Sequence, residues 1–362
     1  MSIIIFIIIL AVLVFVHELG HFLLAKRSGV RVDEFSVGFP PRLFSWKRGE
    51  TLYSLNLIPF GGYVKIFGEN PDEESMTGID SSRGLVNKPR YIQALVLVGG
   101  IAFNILFAWL LISISLTSGY KMPVGAAVYN VENAKITVLS VVDNSPAAKA
   151  GIKTGDEILS LNEGDKKVIP QNVEDVQNFI VTSKDGIQIE YDHKGKIETT
   201  TVTPTLGIVG SSNKAIGIQM SKVGEVRLPF YKAIWEGGKI TATTTWQTLV
   251  QLLSFFGQAF RGKADISQVS GPVGIAGLVG DASQFGFIYL LGFTAFISIN
   301  LAVINLLPFP ALDGGRLFFL AIEAIIRRPI SPKFLNAVNA IGFILLMSLM
   351  LIVTYHDIVK LW

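Results

Sequence analysis

The run SIIIFIIILAVLVFVHELGH, residues 2–21, decides how the chain is read. Ser2 to Val16 is almost wholly Ile, Leu, Val and Phe, the composition of a membrane-spanning helix, and it passes without a break into His17-Glu18-Leu19-Gly20-His21. Residues four apart on a helix share a face. His17 and His21 therefore aim two imidazoles at one point, the spacing that chelates a divalent metal, with Glu18 beside them. A carboxylate at mid-membrane costs about 2.5–3.5 kcal/mol even on the insertion scale most lenient to charge, so three polar groups kept here ask for a chemical reason. Two neutral imidazoles on Zn²⁺, with an adjacent carboxylate not spent on coordination, polarise and deprotonate a water, which is what peptide-bond hydrolysis needs. A signal peptide would carry a charged n-region and an A-x-A site, and neither accompanies the run.

Bulk properties agree with a membrane setting. The chain has 362 residues, 50% of them hydrophobic and only 16% charged, with a mean hydropathy of +0.49. That is too apolar for an ordinary soluble enzyme and fits a polytopic membrane protein carrying a polar domain. The net charge of +3 is spread without a basic block, so no nucleic-acid partner is expected. The absence of cysteine excludes disulfides and thiolate metal sites.

Four stretches are long and apolar enough to span a bilayer: 2–25, 92–117, 288–310 and 334–356. Lys26, Arg27 and Arg31 follow the first, Arg83, Lys88 and Arg90 precede the second, and Arg316, Arg327, Arg328 and Lys333 fill the loop between the last two. The positive-inside rule puts these loops in the cytoplasm, and the termini and the 118–287 region outside.

In the first inner loop, Thr51–Ile58 and Tyr63–Phe67 are β-prone runs flanking Pro59-Phe60-Gly61-Gly62, which reads as a β-hairpin dipping into the membrane. Its edge either pairs with an unfolded substrate segment or merely packs on the helices. Gly99-Gly100 and Asn104 in the second span read as a close-packing surface with one interhelical hydrogen bond. Residues 123–222 have the strand, turn and helix texture of a compact α+β domain. Residues 228–261, with Trp235, Trp246, Phe255, Phe256 and Phe260 diluted by Glu236, Lys239, Thr and Gln, read as an interfacial amphipathic helix rather than a fifth span.

A catalytic zinc wants a third protein ligand. Asn305-Leu-Leu-Pro308-Phe-Pro310-Ala-Leu-Asp313-Gly314-Gly315 supplies a carboxylate at the inner end of the third span, where two prolines and two glycines free the backbone to turn back towards the membrane. By the charge-derived topology, His21 and Asp313 lie at the same level. The plainer reading of Asp313 is a helix-start residue, of Asn305 a backbone partner, and of His193 and His356 a surface and an interfacial residue.

Two resemblances follow. Ser145-Pro-Ala-Ala-x-Ala-Gly-Ile-x-x-Gly-Asp-Glu-Ile-Leu159 resembles the core signature of a PDZ domain, and Ala215-Ile216-Gly217-Ile218 its carboxylate-binding loop, placed last as in circularly permuted bacterial PDZ domains. H-E-L-G-H, N-L-L-P-F-P-A-L-D-G-G, the permuted PDZ and Ser270-Gly271-Pro272-Val273-Gly274-Ile275-Ala276 together resemble the site-2 protease family of intramembrane zinc metalloproteases, in particular the bacterial regulator-of-sigma-E protease group. The sequence departs from that pattern in having room for one PDZ domain and in lacking the proline of Gly-Pro-x-x-Asn at Gly100–Asn104.

The resemblance implies His17, His21 and Asp313 as ligands of one Zn²⁺ and Glu18 as catalytic acid/base. It further implies Asn305 and the hairpin at Gly61, Gly62 and Tyr63 as substrate contacts, and Ile216, Gly217 and Ile218 as peptide-binding. The expected fold is a polytopic α-helical membrane protein with four transmembrane helices, an inserted α+β PDZ domain and a membrane-associated β-hairpin. Its parts are 1–122 (helices 1 and 2 with the hairpin), 123–222 (the extracytoplasmic PDZ domain), 223–287 (an interfacial connector) and 288–362 (helices 3 and 4).

The expected function is cleavage of transmembrane segments, anti-sigma-factor-like regulators or remnant signal peptides, in regulated intramembrane proteolysis. The expected location is the inner membrane, with the active site near the cytoplasmic side. Its partners are the lipid bilayer and single-pass membrane proteins, including ones already cut on the outer side, and a monomer suffices. An ion-coupled transporter would instead show repeated spans, which are not seen. A non-catalytic PDZ scaffold would have no use for the metal motif.

Overall fold

The computed structural model describes residues 2–69, 73–124, 131–142, 144–193, 195–206, 213–263 and 269–360. Two compact units emerge. The first comprises Met1–Ser113, Ile234–Gly280 and Leu291–Trp362, and the second Ile114–Ala233 and Asp281–Leu290.

Four helices among the described residues are long and apolar enough to cross a membrane: α1 (Ser2–Arg27), α3 (Arg90–Ser118), α8 (Phe287–Leu306) and α10 (Pro332–Lys360). They coincide with the four stretches expected from hydropathy. α10 leaves Ile341, Phe343, Ile344, Leu345, Leu349, Leu351 and Ile352 exposed. A helix that is apolar all round and still shows large side chains outward fits lipid and not water as its solvent.

Between α1 and α3, β1 (Val32–Arg48) and β2 (Thr51–Ile66) form one sheet, followed by the short α2 (Glu73–Thr77). The pairing corrects the expected hairpin. The runs on either side of Pro59–Gly62 do not pair with each other. Gly62–Ile66 lies against Val32–Val37, and Thr51–Asn56 against Arg42–Arg48, with Glu34–Val37 also aligned beside Leu52–Leu55. Pro59 has no N–H to offer a ladder, so β2 leaves one flank of β1 there and resumes on the other. Side chains stitch the inserted strand in place: Thr51 Oγ1 donates to the Val32 carbonyl at 2.8 Å, Ser54 Oγ to Glu34 at 2.6 Å, and Asn56 Nδ2 to Ser36 Oγ at 2.7 Å. The inner face packs on α1 and α3 through Ala25, Val30, Val32, Phe35, Val64, Ile66, Leu85 and Val96.

α1 and α3 are drawn together by glycine. A Cβ at Gly20 would lie 2.3 Å from the Gly99 carbonyl oxygen, so only hydrogen fits. α8 packs on α3 through Ala108, Leu111, Ala295, Ile299 and Val303, and Ser298 Oγ donates to the Asn104 carbonyl at 2.8 Å.

Residues 228–261 contain one helix, α6 (Phe230–Phe260), which leans on α3: Trp109 Nε1 donates to the Ile234 carbonyl at 2.8 Å, and Leu249 and Leu252 join the α3–α8 cluster. α7 (Pro272–Gln284) carries the Gly-Pro-Val-Gly motif at its start, where the Gly274 N–H donates to the buried Asp357 carboxylate of α10 at 2.8 Å. α9 (Asp313–Ile326) is a separate amphipathic helix after α8.

In the second unit, β3 (Tyr120–Pro123), β4 (Glu132–Val141), β5 (Glu157–Glu163), β6 (Lys166–Val168), β7 (Ile187–His193), β8 (Lys196–Val202) and β9 (Ile218–Val226) form a sheet of order β3-β9-β4-β5-β7-β8, with β6 on β5. α4 (Pro146–Lys149) is capped by Ser145, whose Oγ accepts the Ala148 N–H. α5 (Val173–Thr182) starts with a reciprocal capping box between Asn172 and Asp175. Val138, Leu161, Val176, Ile187 and Ile189 form the core. His193, read from sequence as a solvated turn residue, instead contacts the buried Asp156 carboxylate at 2.6 Å through Nδ1.

Candidate metal centre

α1 runs helical through Arg27, so His17 and His21 sit one turn apart, their rings edge to face with centroids 4.8 Å apart and both side chains buried. Asp313 arrives from the far end of the sequence. α8 stops at Leu306, two prolines intervene, and α9 starts on Asp313 itself. This return is tight: a Cβ at Gly314 would sit 2.3 Å from the Leu306 carbonyl oxygen, and one at Gly315 as close to that of Phe309. The Asp-Gly-Gly sequence thus lets the first turn of α9 fold back on the end of α8 and direct its carboxylate inward.

Three ligand-type atoms meet as a result. His17 Nε2 and His21 Nε2 are 3.2 Å apart, and Asp313 Oδ2 lies 3.1 Å from the first and 3.3 Å from the second. Zinc bonded tetrahedrally at about 2.0–2.1 Å sets its ligands about 3.3 Å apart, so the triangle has the size of a coordination shell. Asp313 Oδ2 is buried with no hydrogen-bond partner, which fits an oxygen awaiting a cation. Gly100 leaves the space: a Cβ there would fall 2.4 Å from His21 Nε2. The donor set of two imidazoles and one carboxylate, with room for water, is the set of a catalytic zinc site.

The surroundings orient these groups. His21 Nδ1 lies 2.9 Å from the Val96 carbonyl, and His17 Nδ1 lies 3.3 Å from Asn104 Nδ2, with Asn104 fully buried. Glu18 is half-buried beside the triad, with the Val64 backbone N–H of β2 directed at its carboxylate. Arg316, one turn after Asp313, is ion-paired with Glu69. A cavity of about 490 Å³ bordered by Asp313, Glu69, Arg316, Asn336 and Asn339 gives this side of the centre room for water.

The other residues singled out from sequence are not among the three clustered ligand-type residues. Asn305 is half-buried in the last turn of α8. Gly61 and Gly62 are buried in β2, with Gly62 pressed against the Ser36 carbonyl, and Tyr63 stacks on Phe39 at 6.4 Å. Ile216 is 1% exposed and belongs to the core of the second unit, Gly217 follows it, and Ile218 opens β9. Asn104 is the contact that sequence reasoning assigned to packing. Its spacing of four from Gly100, matching that of the two histidines, was the available signal.

The sequence model of peptidase family M50 matches residues 5–349. The chain belongs to peptidase family M50. Among its relatives, a Clostridium perfringens protein named "Putative zinc metalloprotease CPE1693" is 38% identical over 96% of this chain and 95% of its own. The zinc metalloprotease RasP of Geobacillus kaustophilus is 31% identical over 99% of this chain and 98% of its own. The regulator of sigma-W protease RasP of Bacillus subtilis is 30% identical over 100% and 99%. A solved PDZ domain of the SdrC-like protein of Listeria monocytogenes is similar over 25% of this chain and 93% of its own, at 26% identity and a TM-score of 0.22. Membership of family M50 makes the protein a zinc-dependent metalloprotease of the site-2 type, with several apolar helices holding it in the membrane. The transporter and scaffold alternatives find no support.

Proposed function

We propose that this M50 protease cuts the transmembrane segments of single-pass membrane proteins, anti-sigma-factor-like regulators among them, at a zinc centre held by His17, His21 and Asp313. The observation that carries the reading is the 3.1–3.3 Å convergence of the three ligand atoms from opposite ends of the chain.

When bound, zinc supplies Lewis-acid polarisation of the scissile carbonyl and of the attacking water. Glu18 takes a proton from that water and passes it to the departing amine nitrogen, a shuttle for which a carboxylate beside the ligands, and not among them, is suited. Helical peptide bonds are shielded and already hydrogen-bonded, so a substrate helix must unwind first. The Gly62–Ile66 half of β2 pairs with β1 on one flank only, which leaves the other as an edge on which an extended segment pairs near Tyr63. Asn305 contacts the same segment. The cavity beside Asp313 brings water from the cytoplasmic side.

In this reading the second unit is an extracytoplasmic PDZ domain spanning 123–222. Its Ile216-Gly217-Ile218 segment receives the new C-terminus left by an outer cut, the 223–287 connector lies at the interface, and the β1–β2 sheet dips into the inner membrane. The name of the B. subtilis relative, regulator of sigma-W protease, supports the substrate class. The test is metal analysis and cleavage of a reporter transmembrane segment by the wild type, His21→Ala and Asp313→Ala. Near-stoichiometric zinc and cleavage in the wild type, both lost in the variants, support the centre; full zinc content and cleavage in either variant refute it.

A further inference from the structure

A neutral imidazole that binds metal through Nε2 must carry its hydrogen on Nδ1, and the partner of that hydrogen fixes the tautomer and the ring plane. For His21 the partner is settled by chemistry. The Val96 carbonyl, 2.9 Å from Nδ1, can only accept, so Nδ1 holds the hydrogen and Nε2 keeps a lone pair for the centre.

His17 faces a different group. Its Nδ1 lies 3.3 Å from Asn104 Nδ2, while the other end of the same amide, Oδ1, is buried and has no hydrogen-bond partner. With nitrogen facing nitrogen, the amide donates and Nδ1 must be bare, which sends the His17 hydrogen to Nε2 and into the centre. A half-turn of the amide exchanges its two ends within the same volume and presents oxygen to an Nδ1 hydrogen.

We infer that Asn104 is the positioning residue of His17: its amide oxygen accepts the Nδ1 hydrogen, so that both histidines turn a bare Nε2 to the metal. Val96, Gly100 and Asn104 recur every four residues along α3 and so form one face, which supplies an acceptor for His21, space for both rings and an acceptor for His17. Asn104 is itself fully buried and its backbone is anchored by Ser298 of α8. The role rests on the zinc-centre reading, and it differs from a packing role in what it demands of position 104: an acceptor, not a volume.

The full-length protein in detergent separates the two. Zinc affinity is measured by chelator competition in wild type, Asn104→Asp, Asn104→Leu and Asn104→Ala, together with the visible spectrum of the Co²⁺-substituted proteins and the thermal midpoint of each apo protein. Removing an outer partner of a metal-bound histidine lowers affinity by about 10–100-fold. The expected result is a loss of that size in Asn104→Leu and Asn104→Ala with an altered Co²⁺ spectrum. Asn104→Asp, which keeps an acceptor, binds within about threefold of wild type. Wild-type affinity and spectrum in whichever of the Leu and Ala variants folds overturns the role, as does an equal loss in Asn104→Asp. His21→Ala measured alongside tells the two readings apart: if it keeps zinc the centre itself fails and Asn104's role with it, whereas unchanged binding by the Asn104 variants beside a zinc-free His21→Ala refutes the role alone.

Discussion

Gly20 of α1 and Gly99 of α3 meet backbone to backbone, so closely that a Cβ on Gly20 would stand 2.3 Å from the Gly99 carbonyl oxygen. The contact lies one residue before His21 and one before Gly100, so it sets how near the histidine turn comes to the helix that orients it. Gly20→Ala must push the helices apart, at about 1–3 kcal/mol for forced overpacking. Thermal unfolding of the variant is expected at a clearly lower temperature than wild type. Gly277→Ala, where a Cβ meets nothing within 4 Å, is the control and leaves the midpoint level or slightly higher.

Gly100 tests the centre instead of the scaffold. A Cβ there would lie 2.4 Å from His21 Nε2 and 2.6 Å from His17 Cε1. Gly100→Ala is expected to lose most of its bound zinc, read by metal analysis after dialysis.

Glu18 separates binding from chemistry. Glu18→Gln keeps the size of the side chain and all three ligand residues, so zinc content stays near one per chain. Cleavage of a reporter transmembrane segment falls by about 10²–10⁴-fold, the range for loss of a general acid/base. Undiminished cleavage would remove Glu18 from its assigned role.

The β1–β2 sheet carries its own acid-sensitive tie. At the β1–β2 turn, Glu50 accepts from Lys26 Nζ at 2.7 Å and from Arg83 Nη2 at 2.6 Å. The Lys26 ammonium, with Arg83 adding to it, holds the Glu50 carboxyl below the usual carboxylate range. A lowered folded-state value means that the stabilisation is present above the unfolded pKa of about 4.3 and is lost as the pH falls through the folded value. The groups are partly exposed, so the tie is worth about 0.5–1 kcal/mol. Glu50→Gln is expected to unfold at a lower temperature than wild type at pH 7, and the gap should close as the pH falls below about 4.

Much of this was legible in the sequence because the signals are local. A run of Ile, Leu and Val bounded by basic residues marks α1 whatever it touches, and imidazoles four apart on a helix converge by geometry. Asp313 was legible because Pro308, Pro310 and the two glycines forbid a continuing helix. The pairing of the β1–β2 sheet was not. Thr51–Ile58 and Tyr63–Phe67 look like neighbours because they flank a Pro/Gly turn, but the insertion of Val32–Val37 between them is a non-local pairing that alternation cannot reveal. His193 escaped for the same reason, since its partner Asp156 lies on another strand connection. Ile216 belongs to the segment read as peptide-binding, and that its side chain fills the core of the second unit was not visible in the loop pattern.

The distance along the chain between the ligand residues has a consequence in time. Asp313 is made long after His21, so both histidines leave the ribosome well before it. A copy in which Asp313 is not yet made therefore lacks the third point of attachment while α1 and α3 are already among the other nascent proteins of the bilayer. In the proposed centre, proteolytic competence is withheld until Asp313 has been made.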